Sequence, residues 1–256
     1  MTETIYAGKM PILALRGLAV FPEQTVHFEV GRTRSVRALE AAMEADQTLL
    51  LIPQKDLMQD DPQLKDLYPI GTIAKVKQVL KSQNETLRIL VTGIGRAKIT
   101  ELQQTNPYLE GMVESVSSPE HTDTVRAHAL RREANSLYGL YVQLTEHNPQ
   151  AVQLRMMASN DCGFLADSIA QNSGIDFPDK AKLLCQLSPV RRLEQALRLL
   201  SQEVELLRLE SDIQEKTRSA MDQNQKDYYL REQIKVLREE LGEDDEEGEF
   251  DAYAAS

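Results

Sequence analysis

Cysteine is scarce in this chain. Cys162 and Cys185 are the only two, and neither has partner ligands at metal-binding spacing, so no cysteine-based metal framework is expected. Two buried thiols in a reduced, cytoplasmic compartment are the expectation, with a disulfide between them as the alternative. Long apolar runs are missing as well. Stretches such as Leu49–Pro53 fall far short of a transmembrane span. The opening residues MTETIYAGKMP have no apolar core segment, which argues against a secretory signal. There is no basic excess either: the net charge is −11, and residues 1–118 hold 13 basic against 14 acidic side chains. A near-neutral front and an acidic back do not make a nucleic-acid footprint.

Catalytic motifs are absent too. Gly8-Lys9 lacks the upstream glycine and the hydroxyl residue of a phosphate loop. Gly93-Ile94-Gly95 has part of a dinucleotide fingerprint but leads into a strand pattern at Arg96–Leu102, and it reads as a turn in a sheet. The four histidines form no HExxH pattern, and His121 and His128 have no third ligand at suitable spacing. No active site and no resident cofactor are expected within these residues.

What is there divides by period. Up to about residue 118, short runs rich in Ile, Leu and Val are separated by turn residues, as in an all-β unit. Ser82–Glu85 reads as the hairpin connection between Gly71–Lys81 and Thr86–Gly93. One helix, Thr33–Ala45, interrupts the strands, with Val36, Leu39, Ala42 and Met43 at helical spacing. A small β-barrel or half-barrel capped by one helix is the natural solution. From Ser118-Pro119 the period becomes helical. Thr122–Thr145, Pro149–Ala158, Asp161–Gln171 and Pro178–Leu187 read as a bundle, with Asn or Asp near the starts to accept orphan backbone donors.

The last helix is the most unusual element. Ser188 is an N-cap residue, Pro189 suits the first helical position, and no further Pro or Gly occurs until Gly242. At 1.5 Å per residue such a rod is roughly 80 Å long. Leu193, Leu197, Leu200, Val204 and Leu207 form a 4-3-4-3 seam expected to pack on the bundle. Leu230, Ile234, Leu237 and Leu241 resume that spacing in a shifted register and need another partner, which makes them candidate assembly residues. The polar stretch between is expected in solvent, and a coiled coil through the whole rod is the alternative. Five acids follow at Glu243–Glu247 and read as a solvated hinge towards a further part. The expected organisation is therefore α+β: a β-rich domain over 1–118, a helical bundle over 119–187, a long helix over 188–242 and an acidic tail over 243–256.

Several motifs together resemble one family. Pro11–Pro22 (PILALRGLAVFP), Val30-Gly31-Arg32 and Ser35–Glu40 are similar to the opening of the bacterial Lon protease family, endopeptidase La. The match recurs at Tyr68–Thr72, Val91–Ala97 and Leu165–Ala170, and is closest at Met221–Lys235, which looks like the helix leading to that family's ATPase module. The resemblance implies a PUA-like β domain, a bundle and a long helix that select substrates and help assemble a cytoplasmic homohexamer. It also implies ATP and Mg in a AAA+ module that follows, and a Ser–Lys dyad in a serine protease domain beyond. Neither lies within these residues, so no catalytic residue transfers and whether the chain itself is an enzyme stays open. The implied partners are unfolded, damaged or degron-bearing proteins, in a role of protein quality control and stress response. Leu18, Val20 and Phe21, an apolar stretch ahead of Pro22, are the candidate substrate contacts, with ordinary core residues as the alternative. A free-standing protein-binding adaptor with a coiled-coil stalk is the alternative function.

Overall fold

A computed structural model describes residues 6–81, 86–117, 124–145 and 150–241. The expected hairpin tip at Ser82–Glu85, His121, the acidic tail and the helix-starting Asn148-Pro149 lie outside the described residues. The chain divides into two compact units, Met1–Val204 and Glu205–Ser256.

The first unit begins with six strands: β1 (Ala7–Leu15), β2 (Thr25–Val30), β3 (Thr48–Pro53), β4 (Gly71–Lys81), β5 (Leu87–Gln104) and β6 (Leu109–Ser115). They form one sheet in the order β2-β5-β4-β3-β1-β6, and β6 returns to pair with β5. That pairing closes the described strands into a barrel rather than a half-barrel, with β2 as an outer sixth strand. Helix α1 (Thr33–Glu44) lies between β2 and β3 in sequence. Its buried Leu39 and Ala42 join Leu13, Leu15, Leu49, Leu51 and Val91 in one core cluster, while Met10, Ile12, Leu50, Ile52 and Val113 form a second. Alternate residues of β1 and β3 thus serve opposite faces, so both strands read as continuous apolar runs instead of alternating.

The sequence splits the Leu87–Gln104 region into two strands with a turn at Gly93-Ile94-Gly95, but the fold keeps a single strand. Ile73 pairs with Gly95 and Ala74 with Gly93, so Ile94 is an extra residue, a β-bulge. A bulge uses glycine as a turn does, because both need close backbone approach.

Five helices follow: α2 (Val125–Leu144), α3 (Gln150–Ala158), α4 (Cys162–Asn172), α5 (Phe177–Cys185) and α6 (Pro189–Leu241). Thr124 caps α2 by accepting from Ala127 N, and Asp161 caps α4 by accepting from Gly163 N. At α5 the N-cap position is Asp176, which makes no side-chain cap bond, and Pro178 occupies the first turn. Along α6, Leu193, Leu197, Leu200 and Val204 are buried, as the first seam requires, and Leu207 is half-buried.

In the second unit every described side chain from Arg208 onward is exposed. Leu230, Ile234 and Leu237 are among them; Leu241 ends the helix, and its side chain lies outside the described residues. No helix among the described residues is long and apolar enough to cross a membrane.

Candidate functional site

Three strands of the sheet and three helices line a cleft of about 840 Å³. One wall begins where β1 ends. The segment Arg16–Gln24 crosses the barrel mouth, fixed by Thr72 Oγ1 donating to Val20 O at 2.6 Å and by Phe21 N donating to Gln24 Oε1 at 3.0 Å. A Cβ at Gly93 would stand 2.2 Å from Phe21 O, so only glycine lets this segment lie on β5. Glu23 then turns with φ of 60° and donates its N–H to Gly93 O. That is a left-handed conformation a glutamate adopts at some cost.

The sequence candidates separate here. Phe21 is 0% and Val20 1% exposed. Both are core residues, the alternative that the sequence left open for an apolar stretch ahead of a proline. Leu18 is half-buried against the same core.

The bulge supplies what the sequence did not flag. It turns Ile94 out to 53% exposure on the cleft, while Arg96, two residues on, is buried. Arg96 donates from Nη1 and Nη2 to both oxygens of Asp167 on α4, at 3.0 and 2.7 Å, and from Nε to Leu184 O. Arg192 of α6 brings its Nε to 3.0 Å from Asp167 Oδ1 but out of line for a hydrogen bond. Its Nη1 donates to Gln186 O at 2.7 Å. Two buried guanidinium groups therefore share one carboxylate. Burial, opposed by Asp167 and reinforced by Arg96, pushes Arg192 down to about 10. This cluster joins the barrel to the helices and forms the polar floor of the cleft. The apolar part of its lining includes Pro22, Val116, Val152, Phe164 and Pro189, and the Arg155 guanidinium lies 5.2 Å from the centre of the Phe164 ring.

Among the described residues no group of three or more His, Cys, Asp or Glu side chains could hold a metal ion. Exposed apolar side chains also occur beyond the cleft lining: Leu154 and Met157 of α3 are 67% and 64% exposed.

A family model, the ATP-dependent protease La (LON) substrate-binding domain, matches residues 9–202. The chain belongs to this family. Among curated Lon relatives it is 38% identical over 235 residues to the Lon protease of Heliobacterium modesticaldum, covering 92% of this chain and 29% of that protein. It is 37% identical over 256 residues to the Lon protease of Brevibacillus choshinensis, covering 100% of this chain and 33% of that one. The chain thus spans about a third of the length of these Lon proteases. The N-terminal domain of a Mycobacterium avium complex Lon protease shares the fold, with a TM-score of 0.63, 23% identity, and coverage of 76% of this chain and 98% of that one. A Lon N-terminal domain protein from Xanthomonas campestris superposes with a TM-score of 0.53 at 16% identity.

Proposed function

We propose that this chain recruits protein substrates for an ATP-dependent Lon protease, binding unfolded, damaged or degron-bearing chains and passing them to motor and protease modules. The observation that carries this reading is the match of residues 9–202 to the LON substrate-binding domain. The cleft supports it: Ile94 and the other apolar lining give an unfolded chain what folded proteins bury. Leu18 remains a candidate contact. In this reading ATP and Mg serve the motor, the full assembly is a cytoplasmic homohexamer, and Leu230, Ile234, Leu237 and Leu241 contribute to assembly or coupling.

Fluorescence anisotropy of the chain with a labelled, reduced and carboxymethylated protein, set against the same protein in its folded form, tests the reading. Preferential binding of the unfolded form is expected. Equal affinity for both forms, or none for either, refutes it.

A further inference from the structure

Strand β2 is the one terminal strand in the sheet order, hydrogen-bonded to β5 on one side and unpaired on the other among the described residues. Which of its backbone groups are free follows from the ladder. Gly93 N donates to Gln24 O at 2.8 Å, marking Gln24/Gly93 as a hydrogen-bonded pair. The register then runs Thr25↔Thr92, Val26↔Val91, His27↔Leu90, Phe28↔Ile89 and Glu29↔Arg88. Antiparallel pairs alternate, so Val26 and Phe28 spend their N–H and C=O groups on β5, while Thr25, His27 and Glu29 direct theirs away from it. The close side-chain approach of a non-hydrogen-bonded pair is visible at Thr25, whose Oγ1 lies 3.0 Å from Thr92 Oγ1. The result is a row of three N–H and three C=O groups repeating about every 6.8 Å.

An open edge of this kind is ordinarily guarded by lysine, proline or a mid-strand bulge. Thr25–Val30 (TVHFEV) has none of these, and Glu29 is its sole formal charge. The inward side chains beside the edge are also incompletely covered. Val26, Phe28 and the nearby Leu18 pack on the barrel core yet stay half-buried. The edge starts at Thr25, which also lines the cleft.

We propose that the outer edge of β2 takes an extended segment of the substrate chain as an added strand. This rests on the substrate-recruiting reading above and specifies its chemistry. Main-chain groups of Thr25, His27 and Glu29 would pair with the segment, and alternate apolar side chains of the segment would cover Leu18, Val26 and Phe28. The substrate class is thus an unfolded, β-prone stretch of about six residues rich in Val, Ile or Phe. Its backbone carries most of the recognition, which makes selection tolerant of sequence yet closed to folded proteins, whose strands are already paired.

The test uses the full chain and a fluorescein-labelled dodecapeptide of alternating Val and Thr flanked by lysines. Two further versions carry N-methyl groups at every Val or at every Thr, removing one edge's donors at a time. At least one N-methylated version should bind ten times more weakly or worse. His27→Pro, which removes an outward N–H that the β5 ladder does not use, should weaken the unmodified peptide similarly, whereas His27→Ala should not. Peptide binding that ignores both the N-methyl groups and the proline overturns this inference and leaves the recruiting function intact. Failure of the wild-type chain to bind the peptide while it still binds the carboxymethylated protein overturns the inference alone. Failure to bind either overturns the recruiting function too. A wild-type dimer dissolved by His27→Pro, with no peptide binding, gives the edge to a second copy and also overturns the inference.

Discussion

The Arg96 guanidinium on β5 meets the Asp167 carboxylate on α4 through two N–H···O bonds of 3.0 and 2.7 Å, across 71 residues of sequence. Both side chains are nearly inaccessible, at 5% and 11% exposure. A buried pair of this kind adds little over an apolar pair of equal shape, but breaking it strands a charge. Asp167→Ala strands two, Arg96 and Arg192. It should destabilise the first unit by about 3–5 kcal/mol in urea unfolding. Replacing Arg96, Asp167 and Arg192 together with apolar residues of similar size should recover most of that loss. A loss below about 1 kcal/mol for Asp167→Ala would mean that water reaches the cluster.

Tyr138 provides the opposite case. Its ring is fully buried and its hydroxyl has no hydrogen-bond partner among the described residues. Burial pushes the group up to about 12, with Tyr141 adding to the effect. Tyr138→Phe removes an unsatisfied polar atom while keeping the ring, so the variant should be more stable, by about 1–3 kcal/mol. A lower urea midpoint for the variant would show that the hydroxyl has a partner.

The two glycines of the bulge should part company. A Cβ at Gly93 meets Phe21 O, whereas one at Gly95 meets nothing within 4 Å. Gly93→Ala must displace the segment across the barrel mouth and should cost about 1–3 kcal/mol or more. Gly95→Ala should be neutral or raise the melting temperature slightly, because alanine restricts the unfolded chain. Equal effects in calorimetry would contradict the close approach at Gly93.

The exposed stripe on α6 leads to a prediction about association. With Leu230, Ile234 and Leu237 each more than half exposed, the second unit should self-associate weakly. Ile234→Ser with Leu237→Ser should remove any such dimer in sedimentation velocity and leave unfolding of the first unit unchanged. An unaltered oligomer would locate association elsewhere.

Much of the fold was legible in the sequence because it is local. Pro189 and the absence of Gly or Pro up to Leu241 announce α6, and Asp161 announces α4, since capping and helical period act within a few residues. The pairing of β4 with the start of β5 was legible for the same reason, because the two strands are neighbours in sequence. The candidate site was less so. For Val20 and Phe21 the sequence left contact and core readings both open, because a loop-like pattern does not tell which way side chains turn, and the fold buries them. The ion cluster depends on contact between residues far apart in sequence. Its one local trace was Asp167, a lone acid inside the apolar run Leu165–Ala170, where an unpaired carboxylate would be too costly to bury.

The pairing of β1 with β6, Ala7 with Glu114 and Ile12 with Leu109, constrains the order of events during synthesis. The earliest strand to leave the ribosome finds one of its two neighbours only when the last strand follows, about a hundred residues later. At roughly 5–20 residues per second, that interval is on the order of 5–20 s. Throughout it β1 lacks its β6 neighbour and presents a bare edge, the state in which strands pair with the wrong chain. The nascent chain therefore passes through a period when it resembles the kind of molecule that the finished domain is proposed to seize.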